Sequence, residues 1–156
     1  MNALQQVARR SLWAAVGAAA ILAAGCAGTY SQGVAERLTG TNEVPPLNTG
    51  ASGTDDILVR ISKCPATASS NSCPQIYGTV TTSGVEGTAA HVHQGKKGQN
   101  GPVIITLQKT GPNTWEVPPF TFLVDSQYAA YVDGELYVNV HSAANPNGEI
   151  RAQLKP

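Results

Sequence analysis

The run Leu136-Tyr137-Val138-Asn139-Val140-His141 alternates aliphatic side chains with aromatic or polar ones at a period of two. That period is the signature of a strand giving one face to a core: Leu136, Val138 and Val140 take the core face, and Tyr137, Asn139 and His141 take the other. Outward from this run, similar short segments recur at residues 36–38, 56–62, 75–82, 89–93, 103–108, 115–117 with 121–123, and 149–154. Turn-forming residues part them at Gly50-Ala51-Ser52-Gly53, Ser83-Gly84, 97–101, Gly111-Pro112-Asn113 and Asn145-Pro146-Asn147-Gly148. The pattern predicts an all-β domain, an antiparallel Greek-key-type β-sandwich of about seven to eight strands. One segment departs from it. Residues 126–133, with Ser126 placed to cap and Gly134 just beyond, predict one short helix.

The 156-residue chain has no net formal charge, and only 13% of its residues are charged. Its longest basic run is the pair Lys96-Lys97, so neither a nucleic-acid footprint nor a polybasic membrane patch is expected. One core is all that a chain of this length needs.

The N-terminus reads as an export signal. Arg9-Arg10 closes a polar stretch, and residues 12–25 are apolar, long enough for a signal core but short of the roughly 20 residues that span a bilayer. The segment ends Leu22-Ala23-Ala24-Gly25-Cys26, which resembles the lipobox of bacterial lipoproteins, although Ala23 stands where Leu is commonest. The resemblance implies cleavage before Cys26, lipidation of Cys26, and a location in the bacterial cell envelope with the domain outside the cytoplasm. Several acyl chains anchor stably where a single one does not. The expected organisation is a signal peptide over residues 1–25, a lipidated flexible tether over 26–35 and a β-domain over 36–156. The alternative is a secretory signal cleaved after Ala27, leaving a soluble protein.

Setting Cys26 aside leaves Cys64 and Cys73, an even pair flanking the polar stretch Pro65-Ala66-Thr67-Ala68-Ser69-Ser70-Asn71-Ser72. An oxidising compartment favours a disulfide between them, stabilising by about 2 to 3 kcal/mol through loop-closure entropy. A metal thiolate site is the poorer reading, since no other cysteine is available and neither neighbour is histidine.

All three histidines fall in two of the expected strands. In Ala89-Ala90-His91-Val92-His93, the imidazoles of His91 and His93 share one face while Ala90 and Val92 take the other. At i and i+2 on a strand their Cβ atoms lie roughly 6 to 7 Å apart, within reach of one metal ion. If His141 approaches them, a third nitrogen completes a site. Three imidazoles without thiolate or clustered carboxylate favour copper, with zinc as second choice. The competing reading is surface histidines hydrogen-bonded to the 94–100 loop. Nucleophilic catalysis is poorly supported: no Gly-x-Ser-x-Gly elbow is present, and Asp55, Asp56 and Glu149 read as exposed charges and ladder neighbours rather than an acid/base pair. Tyr128, Tyr131 and Tyr137 read as packing.

Three runs then resemble a known family: Leu38-Thr39-Gly40-Thr41-Asn42-Glu43-Val44-Pro45-Pro46; Ala90-His91-Val92-His93-Gln94-Gly95 with Asn100-Gly101-Pro102-Val103; and the stretch from Leu136 through His141, Asn145 and Gly148 to Glu149-Ile150-Arg151-Ala152-Gln153-Leu154. In this order they are similar to the CHRD domain, named for its occurrence in chordin. The resemblance implies an extracytoplasmic β-domain and carries over no shared activity. A fainter one is to copper/zinc superoxide dismutases, in which a His-x-His pair and a later strand histidine bind copper. It implies copper ligation by His91, His93 and His141, while that family's bridging histidine and zinc-ligand cluster have no counterpart. Three functions remain in play. One is a binding module holding copper or a similar metal. The second is a dismutase-like redox enzyme whose positive approach would come from Lys96, Lys97 or Arg151. The third is a metal-free structural or adhesive surface protein that meets a cell-surface protein partner.

Overall fold

A computed structural model of the protein describes residues 36–156. Among the described residues the fold is all-β, with one α-helix and a single 3-10 turn at Gly40–Asn42. Its strands are β1 (Arg37–Thr39), β2 (Ser52–Asp55), β3 (Leu58–Lys63), β4 (Ser72–Tyr77), β5 (Thr79–Ser83), β6 (Gly87–Gln94), β7 (Val103–Thr106), β8 (Gln108–Gly111), β9 (Thr114–Glu116), β10 (Leu136–Ser142) and β11 (Ile150–Gln153), with α1 (Asp125–Val132) ahead of β10. Nine strands form one antiparallel sheet in the order β7-β6-β10-β11-β1-β2-β5-β9-β8, and β3 pairs with β4 separately.

That order forces the sheet to curl. Strands β7 and β8 lie at its opposite ends, yet only Leu107 separates them in sequence. The Leu107 N–H donates to the Ala90 carbonyl of β6 at 2.9 Å, and the Lys109 ammonium of β8 donates to the Gly87 carbonyl at 2.6 Å. The two flanks therefore meet around a shared interior in a nearly barrel-like sandwich. Leu38, Ile76, Val80, Val92, Val138 and Val140 are wholly excluded from solvent there. Among the described residues no helix is long and apolar enough to cross a membrane.

Among the described residues eleven strands replace the seven or eight expected, because sequence periodicity runs straight through two breaks and does not mark one further strand. Residues 75–82 divide at Gly78, where the chain leaves the small sheet for the large one, and 103–108 divide at Leu107, where it crosses between flanks. Ser52–Asp55, expected in part as a turn, is a strand between β1 and β5 with no apolar alternation to mark it. The 121–123 segment runs beside β4 through the Gln75–Phe122 bridge.

The helix starts at Asp125, so Ser126 is inside its first turn and is not the cap. Instead the Gln127 side chain reaches back to accept from the Val124 N–H at 3.0 Å. Its end follows expectation. Gly134 has φ +70°, its N–H donates to the Tyr131 carbonyl, and the Glu135 N–H donates to the Ala130 carbonyl, which together make a Schellman motif. Cys64 and Cys73 are joined by a disulfide across the β3–β4 hairpin. Cys26 and the signal and tether segments lie outside the described residues.

Val92 has no exposed surface, whereas His91 is only half-buried on the opposite face. Val92→Asp should therefore destabilise the protein by roughly 3 to 5 kcal/mol, against within about 1 kcal/mol for His91→Ala. Urea denaturation of the full chain measures both, and equal losses would reverse the assigned faces.

Candidate metal centre

Strand β10 is the scaffold of the site. It pairs with β6 on one side and β11 on the other, with His91 opposite Asn139, His93 opposite Tyr137 and His141 opposite Ala89. The pleat then sets His91, His93, Tyr137, Asn139 and His141 on one face, away from the apolar core. The orientation matches expectation, but the surroundings do not. Loops containing Glu43, Lys96–Gly101 and Pro146–Gly148 cover this face, so Tyr137, Asn139 and His93 are buried. Strand β10 therefore separates an apolar interior from a smaller polar one.

The three imidazoles converge. One ligand nitrogen from each of His91, His93 and His141 falls within 4.8 Å of the other two. His91 Nδ1 and His141 Nε2 are 2.9 Å apart, and the His91 ring sits edge-on to His93 at 5.7 Å. Backbone carbonyls orient two of the rings. His93 Nδ1 is 2.9 Å from the Gly101 carbonyl, and His141 Nδ1 is 2.9 Å from the Pro146 carbonyl. A carbonyl only accepts, so both Nδ1 atoms carry the proton and both Nε2 atoms carry a lone pair. The Nε2 of His93 is buried with no hydrogen-bond partner. This is the arrangement by which proteins hold histidines for metal ligation.

Burial lowers the pKa of all three histidines from the ordinary value of 6.5. For His91 the neighbouring His141 and His93 add to the effect. For His93 and His141, hydrogen bonds to the Gly101 and Pro146 carbonyls oppose it, joined at His93 by the nearby Asn139 side chain, which lies close without reaching hydrogen-bond geometry. Lowered values favour the neutral rings at pH 7, and a neutral imidazole keeps one nitrogen lone pair for an ion.

Around the histidines stands a polar shell that reasoning from the sequence did not place. The Tyr137 ring stacks on His93, centroids 4.7 Å apart and planes 6° apart, and the Arg151 guanidinium lies 3.4 Å from the centre of the Tyr137 ring. The Tyr137 hydroxyl accepts from the Gly101 N–H at 3.1 Å, and Asn100 Nδ2 donates to the Val44 carbonyl at 2.7 Å. Gly101 is required here, since a Cβ on it would lie 1.7 Å from the Gln94 carbonyl oxygen. Gly148, at φ +127°, lets the Glu43 carboxyl and the Asn139 amide close against its backbone. Glu43 Oε1 and Asn139 Oδ1 are buried without partners, and burial outweighs the Arg151 charge to push Glu43 up to about 7. The signal for this shell lay in the three runs quoted above: Glu43, Asn100, Gly101, Tyr137, Asn139, Gly148 and Arg151 all belong to them.

Several expectations need correction. Arg151 is buried under loop carbonyls and offers no surface charge to an approaching ligand, and Lys96 pairs with Glu135 at 3.3 Å. Lys97 alone of the three stays exposed without an ion pair among the described residues. Asp55 and Glu149 are buried rather than exposed. Burial lifts Asp55 to about 7; in Glu149 it is outweighed by hydrogen bonds from Ser142, Thr49 and Asn145.

The CHRD domain family model matches residues 34–154. That span is most of the chain, which therefore belongs to the CHRD family. No curated protein and no solved structure matches it.

Glu43 supplies a pH test. With a folded pKa near 7 against 4.5 in the unfolded chain, the native state holds the extra proton between those values. Stability from this group is present below about pH 4.5 and fades as the pH rises through 7. Glu43→Gln, which cannot ionise, should therefore gain on the wild type by roughly 1 to 3 kcal/mol between pH 5 and pH 8 in paired urea titrations. A constant difference would show that Glu43 ionises freely.

Proposed function

We propose that this CHRD-domain protein is a lipid-anchored binding module of the bacterial cell envelope that holds copper, or else zinc, through His91, His93 and His141. The buried, unpartnered Nε2 lone pair of His93, aimed by the Gly101 carbonyl, carries the metal reading. A neutral imidazole nitrogen sealed from water with no donor to meet it costs free energy that a bound ion removes. His141, oriented in the same way, supplies a second nitrogen, which accepts from His91 Nδ1 at 2.9 Å while no ion is bound, and His91 supplies a third. Distances of 2.9 Å to within 4.8 Å bracket what a trigonal set needs, so side-chain rotations suffice to close it.

Copper is preferred because the donor set is all imidazole and contains no carboxylate. The likeness to superoxide dismutases supports the choice of metal and adds no activity. The anchor rests on the Leu22–Cys26 sequence alone.

Calorimetric titration of the purified full chain with Cu(II) or Zn(II), beside a variant with all three histidines changed to Ala, tests the site. One ion bound per chain by the wild type and none by the variant is the expected result. Equal binding by both would leave a metal-free surface protein as the better reading. Because the folded imidazoles titrate below 6.5, affinity should hold constant above about pH 7 and fall below pH 6.5 as protons compete. Cys26→Ser should move the protein out of the membrane fraction on cell fractionation, and full retention there would rule out the lipid anchor.

A further inference from the structure

We infer that the centre is tuned for the singly charged ion, Cu(I) over Cu(II), and that buried Arg151 sets this preference through Tyr137 and His93. The inference rests on the three-histidine metal reading and specifies which ion the site selects.

The donors come first. His91, His93 and His141 bring no negative charge, so the full charge of the ion stays in a pocket where His93 is buried and His91 and His141 are half-buried. Burying a second positive charge there is costly. Three nitrogens are also a complete coordination set for Cu(I), whereas Cu(II) takes tetragonal sites and needs a further ligand. Among the described residues, no Asp, Glu or Cys joins the three histidines to supply one.

Arg151 acts in the same direction. It is 1% exposed, and its hydrogen bonds all run to neutral acceptors: Asn100 Oδ1 at 3.3 Å, the Lys96 carbonyl at 3.3 Å, the Gln99 carbonyl at 2.9 Å and Gln153 Oε1 at 3.4 Å. It makes no ion pair among the described residues, where the pairs are Lys96–Glu135 and Lys155–Glu36. Glu43 is the carboxyl whose charge couples to it, and near neutral pH that group is only partly ionised. A cation with no direct ion pair among the described residues is thus fixed beside Tyr137, and the Tyr137 ring lies flat on His93. Since β10 sits between β6 and β11, His93 approaches Tyr137 from one side and Arg151 from the other. A fixed positive charge one ring away from a ligand disfavours the doubly charged ion more than the singly charged one.

Competition against chromogenic Cu(I) and Cu(II) chelators, with the midpoint potential measured by spectroelectrochemistry on the copper-loaded full chain, tests this. Wild-type protein should bind Cu(I) more tightly than Cu(II). Arg151→Met should shift the affinity ratio about tenfold toward Cu(II), a fall of about 59 mV for a one-electron couple, while Arg151→Lys should stay near wild type. A loss of packing alone would lower both affinities together and leave the potential unmoved. Wild-type preference for Cu(II), or an unchanged potential in folded Arg151→Met, overturns the inference and leaves the copper site standing. Should Arg151→Met fail to fold, the wild-type ratio decides. Failure to bind either ion removes the metal reading, and this inference with it.

Discussion

Strand β10 is buried on both faces, and a strand so placed has to serve two interiors with one alternating sequence. Leu136, Val138 and Val140 fill the apolar side, while Tyr137 and Asn139 fill a polar side roofed by loops. Slipping the β6–β10 register by one residue would drive Asn139 and His141 into the hydrocarbon core and turn three aliphatic residues into the polar pocket. The same register that excludes this error sets His93 opposite Tyr137 and His91 opposite Asn139. Site geometry and core packing are therefore specified by one pairing, and neither can be altered without the other.

The polar interior carries its own energetic burden. Arg151, Glu43, Asn139 and His93 are all buried, and three of them hold atoms without partners. Replacing such a cluster with well-fitted apolar residues often stabilises a protein, so its presence is poorly explained by stability alone. Arg151 offsets part of its desolvation by gathering loop carbonyls at Lys96 and Gln99, and in doing so it ties the loop that bears Gly101 to β11. The guanidinium thus helps hold the carbonyl that orients His93. Structure and site chemistry meet in one side chain.

How much of this was legible in the sequence follows from the range of each signal. Strand period, the glycine that ends the helix, the disulfide and the common face of the histidines are local or nearly so, and each is found as the sequence implies. Breaks at Gly78 and Leu107 were hidden because alternation continues across them while the hydrogen-bonding partners change. Burial of the histidine face was hidden for a different reason. Alternation tells which residues point away from the first core and is silent on whether a loop distant in sequence folds over them. Arg151 shows the limit plainly: a lone arginine near a chain end reads as surface charge, and only the closure of the 96–101 loop makes it an interior group.

The choice of backbone carbonyls as histidine partners has a consequence for chemistry. A carboxylate behind an imidazole raises its basicity and adds negative charge to the centre, which stabilises higher-valent ions. The Gly101 and Pro146 carbonyls fix the same tautomer and ring orientation while adding no net charge. Both carbonyls also come from loops beside glycines with strict steric demands, Gly101 itself and Gly148. The loops therefore do more than cover the face: their backbone aims the nitrogens, and their lack of charge keeps the pocket electropositive. A neutral donor set, neutral orienting groups and a buried guanidinium would all act against accumulation of charge on an ion held there, so selectivity in the proposed centre would belong to its whole shell rather than to its three ligands.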